Sequence, residues 1–255
     1  MNRGAASSRS VVDVTVELVE FTDPACSYAW GTEPKVRRSP LHHIHGSTED
    51  ACRLVKAAER QDETSPATGP SDRLMRRLRE SWFVHGRPAD TIERGLALAA
   101  DVDGLDVDRL ARDVEDPAVE AAYRSDWAEA RRPNPHTLEK PDKRVGFGAA
   151  QPTGDGMRYG LPCMILTGPG GEVTVSGWTD WAEWVAALEA ASPGITADAR
   201  PLPSPAEAFA TWPLLAGPEL EMLCGPDVAL PRDVVRHEWP GGVVWVGPTA
   251  VAALS

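Results

Sequence analysis

The chain begins with an alternation. Val12, Val14, Val16 and Leu18 are apolar, and Asp13, Thr15 and Glu17 stand between them. A period of two predicts a half-buried strand, which Val19 and Phe21 extend. Asp23-Pro24 then turns the chain, because a proline drives the residue before it out of the helical region. A helix is predicted from Cys26 to Arg37 or Arg38, kinked at Pro34.

After Ser47 the period lengthens to that of a helix. Ala51, Leu54, Val55 and Ala58 form one apolar face. Ser71 is placed to cap a second helix with Leu74, Leu78 and Trp82 inward, ending before Gly86. Asp90 would cap a third, carrying Ile92, Leu96 and Ala99. A fourth spans Asp106 to Val114. Asp116-Pro117 opens a fifth, with Val119, Ala122, Tyr123 and Trp127 on one side. Residues 47–130 therefore read as an all-helical block.

Arg131 to Met157 carries Pro133, Pro135, Pro141 and Pro152 and reads as a long irregular stretch, the kind that is functional or mobile. Strand character returns around Leu161-Pro162-Cys163-Met164-Ile165-Leu166. Gly168-Pro169-Gly170-Gly171 predicts a hairpin turn, and Val173 and Val175 mark the return strand. Thr179 is placed to cap a helix with Trp181, Trp184, Val185 and Leu188 on its face. Beyond a linker from Ser192, two short helices are predicted, Pro205 to Trp212 and Pro218 to Cys224. A third helical piece near Pro231 to His237 and a strand at Val243 to Val246 complete a small winged-helix-like appendage.

Charge and composition narrow the classes. The 255 residues carry a formal net charge of −12, which opposes non-specific binding to nucleic acid or to anionic membranes. Residues 192–255 hold seven acids against three arginines, so the appendage lacks the basic helix that DNA recognition needs. The polar start and the lack of a long apolar run predict a cytoplasmic protein without a membrane partner. Cys26, Cys52, Cys163 and Cys224 do not form a disulfide framework and are expected as free thiols.

Cys26 is the residue with chemistry. It stands where a strand hands over to a helix, and the amides and dipole of a helix N-terminus favour a thiolate. Asp23 opposes that by its charge. Tyr28 and Trp30 flank it as stacking or packing residues, and Arg158 and Tyr159 are candidates to meet an anionic thiol. Cys163 is a candidate second thiol, although a cysteine on a core strand is more often packing. His42, His43 and His45 lack the spacing of a metal site, so no metal is expected. Arg73, Arg76, Arg77 and Arg79 read as the solvated face of their helix.

The order strand, cysteine helix, helical block, X-Pro strand, hairpin and helix resembles the thioredoxin fold in its DsbA-like form, of DsbA or FrnE type. The resemblance rests on Asp23-Pro24-Ala25-Cys26, on Pro34 eight residues later, and on Leu161-Pro162 before a strand and hairpin. It covers about residues 11–191. It implies an α/β protein in which residues 11–46 and 131–191 make the thioredoxin-like domain. Residues 47–130 are then the helical insertion, and 192–255 the linker and appendage. It also implies a cis-proline loop at Pro162, with the Leu161 backbone placed to bind substrate beside Cys26.

Two departures qualify it. The redox motif of the family is Cys-x-x-Cys, whereas this chain has Cys26-Ser27-Tyr28-Ala29 and no resolving thiol. The second parallel strand has only residues 39–48 available, so it is expected to be absent or vestigial in a sheet of three or four strands. An edge opened in this way invites covering by the insert or pairing in a homodimer. The function expected is thiol–disulfide exchange or thiol transfer on a small-molecule or protein disulfide. Cys26 would be resolved by an external low-molecular-weight thiol rather than by a tightly bound cofactor. Two alternatives are a transferase or isomerase that uses a thiol cosubstrate, like the kappa-class glutathione transferases, and a catalytically silent binding protein.

Overall fold

The computed structural model describes residues 16–21, 45–46, 49–62, 69–85, 89–198, 201–239 and 242–250. Cys26, Tyr28, Trp30, Pro34, His42 and His43, and with them the expected cysteine helix, lie outside the described residues.

Among the described residues, four strands form the central sheet, in the order β2-β1-β5-β6. Strand β1 is Glu17–Phe21, β2 is His45–Gly46, β5 is Cys163–Gly168 and β6 is Gly171–Ser176. β1 runs parallel to β2 and antiparallel to β5, and β5 runs antiparallel to β6. Within the described residues β2 is His45 and Gly46, which pair with Glu20 and Phe21. The alternation read from the sequence sets the faces. Val16 and Leu18 are buried with Met164, Leu166 and Val175 against Trp184 and Leu188. The latter two lie on helix α7, Trp181–Ala191. On the opposite face Tyr159 and Cys163 pack with Val19, Ile165 and Ala130. The β5–β6 turn uses its glycines for close approach. A Cβ on Gly170 would lie 2.1 Å from the Ala190 carbonyl oxygen, and the Gly170 N–H donates to the Ala191 carbonyl at 2.8 Å, closing the end of α7.

Among the described residues, the insert contains five helices: α1 (Glu49–Glu59), α2 (Pro70–Phe83), α3 (Ile92–Ala99), α4 (Val107–Asp113) and α5 (Pro117–Ala130). Leu54, Val55, Ala58, Leu74, Leu78, Ala99 and Leu110 make their common core. Asp116 caps α5 as expected, and Asp106, read as the first residue of its helix, is the cap of α4. Other caps differ. α2 starts after Gly69, because the Ser71 amide donates to Asp62 at 3.0 Å and its hydroxyl to the same carboxylate, leaving the serine inside the helix. Thr91 caps α3 while Asp90 pairs with Arg94, and Asp180 rather than Thr179 caps α7.

Residues 131–157 are more ordered than their composition suggests. They hold the short helix α6 (Pro135–Glu139) and a hairpin of β3 (Gln151–Thr153) and β4 (Gly156–Arg158).

The C-terminal unit is α/β, with α8 (Pro205–Thr211), β7 (Leu214–Ala216), α9 (Gly217–Cys224), β8 (Val235–Trp239) and β9 (Gly242–Val246). Its sheet order is β7-β9-β8, all antiparallel. The helix expected near Pro231 to His237 is a strand instead. Val235 to Trp239 pair residue by residue with β9, and that ladder overrides local preference. The unit is not a loose appendage. Leu214, Val244 and Val246 close over Val84, the residue that caps α2. Among the described residues, no helix is long and apolar enough to cross a membrane.

Candidate functional site

The site begins where β1 ends. Phe21 is paired with Cys163, and Cys163 directly follows the Leu161–Pro162 peptide, which is cis. The chain therefore leaves β1 beside the Pro162 loop. Three bonds fix that loop. The buried Tyr159 donates its N–H to the Ala130 carbonyl at the end of α5, at 2.9 Å. Its hydroxyl accepts the Asn134 N–H at 3.1 Å. The Pro162 carbonyl accepts the Gly177 N–H at 2.9 Å. Leu161 between them is half-buried, and among the described residues no hydrogen bond is made to its main chain.

A strap from Lys140 to Gly148 lies against the turn after β6. The Lys140 ammonium donates to the Ser176 carbonyl at 2.7 Å and the Phe147 carbonyl at 3.3 Å. The Trp178 N–H donates to the Gly146 carbonyl at 3.0 Å. Two glycines allow the approach. Gly148 has φ +81° and a Cβ there would lie 2.3 Å from the Ser176 carbonyl carbon. At Gly177, with φ +83°, the same construction meets the Phe147 main chain at 2.5 Å. Arg144 pairs with Asp142 and lies over the Phe147 ring at 3.9 Å. Phe147 and Trp178 nevertheless remain exposed beside the Pro162 loop.

The cysteines within the described residues are packing groups. Cys163 is fully buried, and burial pushes its thiol well above the usual range, which disfavours the thiolate that a second redox thiol would need. Cys52 is buried in the insert. Cys224 is half-buried, with its thiol pushed up by burial and by Glu207. Tyr159 is likewise structural, since its ring and hydroxyl are enclosed. Arg158 is partly exposed and donates to the Tyr159 carbonyl at 2.8 Å, which keeps it at the loop. Among the described residues, no group of three His, Cys, Asp or Glu is placed to hold a metal ion.

The arginines of α2 overturn their sequence reading. Arg76 and Arg79 are buried rather than solvated. Arg76 donates to Glu80 at 2.9 Å, to the Leu214 carbonyl at 2.8 Å and to both oxygens of Glu219. Burial alone lowers its pKa, but Glu219 and Glu80 outweigh burial and raise it. Arg77 donates to the other Glu80 oxygen at 3.0 Å. Arg79 lies 3.9 Å from Glu20 on β1. Glu20 is 3% exposed, and its Oε1 has no hydrogen bond among the described residues. The signal for it was in the alternation. Positions 16 and 18 point to the core, and position 20 on the same face is a glutamate. A charge at a core position is a cost that is usually kept for a reason.

No family model matches the chain, and no curated protein sequence does. Among solved structures it is similar to the oxidoreductase DsbA1 of Neisseria meningitidis, at 13% identity and a TM-score of 0.44 over 69% of this chain and 80% of that one. It is also similar to DsbL of Salmonella enterica serovar Typhimurium, at 12% identity and a TM-score of 0.41 over 74% and 98%. The fold is set by its own strands. A sheet ordered β2-β1-β5-β6 with β5 antiparallel to β1, a helical block between β2 and β5, and a cis-proline before β5 is a thioredoxin-like fold with an inserted helical domain.

Proposed function

We propose that the protein is a monothiol thiol–disulfide oxidoreductase or thiol transferase with Cys26 as its nucleophile. The pairing of Phe21 with Cys163 carries the proposal. Cys26 is five residues past Phe21, and five residues of extended chain span at most about 18 Å. We infer that the Cys26 thiol acts within that reach of the Pro162 loop, where Leu161, whose main chain makes no hydrogen bond among the described residues, would receive an extended substrate.

In the proposed reaction the Cys26 thiolate attacks one sulfur of a disulfide. That S–S bond breaks, the other sulfur leaves as a thiolate, and a mixed disulfide remains on Cys26. Ala29 provides no second thiol and Cys163 is buried and protonated. An external low-molecular-weight thiolate then attacks the substrate-derived sulfur and frees Cys26. The reducing cytoplasm would supply that thiol. Tyr28, Trp30, Leu161 and Arg158 are proposed to border the substrate.

The test is glutathione-dependent turnover of a small symmetrical disulfide. Wild-type protein should turn over and Cys26→Ser should not. Turnover unchanged in Cys26→Ser would remove the proposal. Activity on an electrophile that survives this substitution would select the thiol-cosubstrate transferase.

A further inference from the structure

Six large apolar side chains are exposed among the described residues, and four of them belong to one surface. Val145 and Phe147 lie on the strap, Trp178 on the turn after β6, and Leu138 on α6. Hydrogen bonds hold these segments together. The Trp178 N–H donates to the Gly146 carbonyl, between Val145 and Phe147, at 3.0 Å. The Lys143 ammonium reaches the Leu138 carbonyl at 2.6 Å. Val145 is 62% exposed and Trp178 57%, so neither is covered by its own chain. A contiguous apolar patch left in water marks a docking surface.

The charge around the patch says what docks there. Residues 131–158 hold six lysines and arginines against three acids, in a chain of net charge −12. Two of these acids are engaged, Asp142 by Arg144 and Asp155 by Arg131 at 4.0 Å. Asp180, two residues past Trp178, caps α7 by accepting the Glu183 N–H at 2.8 Å. Lys140, Lys143 and Arg158 donate to main-chain carbonyls, and among the described residues none of the three pairs with a carboxylate. A basic and apolar surface on an acidic protein fits a ligand that is acidic and apolar. An anionic membrane or a nucleic acid extends its charge over many residues, and would also meet the acidic remainder of the chain. A short polypeptide segment meets only what lies within a screening length of about 8 Å.

We propose that the strap and the turn after β6 dock an acidic polypeptide segment that carries bulky apolar side chains. Lys140 and Lys143 would face its carboxylates, and Val145, Phe147 and Trp178 its apolar groups. The Gly177 N–H donates to the Pro162 carbonyl at 2.9 Å, so such a partner is held beside the Pro162 loop. The docking itself does not depend on Cys26.

Fluorescence anisotropy with labelled synthetic peptides tests this on the full chain. The probe alternates Glu with Leu and Phe. One counterpart carries Lys in place of Glu, and another carries Ser in place of Leu and Phe. The acidic apolar peptide should bind, both counterparts should bind far more weakly, and added salt should weaken the binding. Val145→Asp and Trp178→Ser should each weaken it about tenfold, as changes at the centre of a docking surface do. Lys143→Glu should narrow the gap between the acidic peptide and its Lys counterpart. Val145 and Lys143 are exposed, so two arms stand if Trp178→Ser does not fold. Cys26→Ser should bind as the wild type does, and loss of binding in it would assign the peptide to the thiol site instead. Equal binding of the acidic and Lys peptides, or binding unchanged in Val145→Asp and Lys143→Glu, would overturn the inference. So would a preference for vesicles of anionic phospholipid over the peptide. Self-association of the free protein that Val145→Asp abolishes would give the surface to a second copy of the chain and overturn it as well.

Discussion

Arg76 and Glu219 are 143 positions apart in the chain and pair face to face inside the protein. Through this pair the C-terminal unit grips the same helix whose Arg79 reaches β1. Breaking a buried pair on one side strands a charge, which costs more than the pair contributes. Glu219→Ala should therefore lose about 3–5 kcal/mol in urea denaturation. The double variant Arg76→Met with Glu219→Leu should recover most of that loss. Equal losses in the single and double variants would show that the site matters only through its packing.

Glu59 on α1 predicts a pH dependence. Burial pushes its carboxyl up to about 7 from 4.5, against the pull of Lys56, with Asp126 and Asp62 adding to the rise. The folded state then binds a proton more tightly than the unfolded chain between these two values. This stabilisation is present at low pH and fades as pH rises through about 7. Glu59→Gln should flatten the decline and be more stable than wild type at pH 8, by on the order of 2 kcal/mol. Lys56 keeps Asp126 at 2.8 Å, so the variant leaves no stranded ammonium. Denaturation at pH 5.5 and pH 8 checks it, and a variant less stable at pH 8 would refute it.

Gly148 and Gly154 should respond differently to the same substitution. Gly148→Ala meets both a positive φ and the Ser176 main chain, and should cost about 1–3 kcal/mol and loosen the strap against Trp178. Gly154→Ala meets nothing within 4 Å and should be close to neutral. Thermal unfolding with Trp fluorescence separates them.

Cys163 should be inert in the folded protein. Its thiol is buried and held protonated. Maleimide labelling followed by peptide mapping should leave it unmodified until denaturant is added, and modification of Cys163 in the native state would contradict the packing described here.

Local pattern carried the fold further than it carried the site. The alternation from Val12 to Leu18 located β1, and the helical face through Leu54 and Leu78 located the insert. Capping slipped by one or two residues wherever polar neighbours compete, as with Thr179 and Asp180, because tertiary partners choose between them. Val235 to Trp239 was legible only with its ladder partner, Gly242 to Val246. Arg76 looked solvated because the carboxylate that justifies burying it is far along the chain. Glu20 was legible in principle, since it breaks the alternation that placed β1.

The central claim is that Cys26 acts as a lone exchanging thiol. Incubation with oxidised glutathione, read by intact mass and peptide mapping, tests it most directly. One glutathione per chain should attach to Cys26, none should attach to Cys163, and reduced glutathione should release it. Absence of an adduct on Cys26, or attachment that free glutathione does not reverse, would contradict the account.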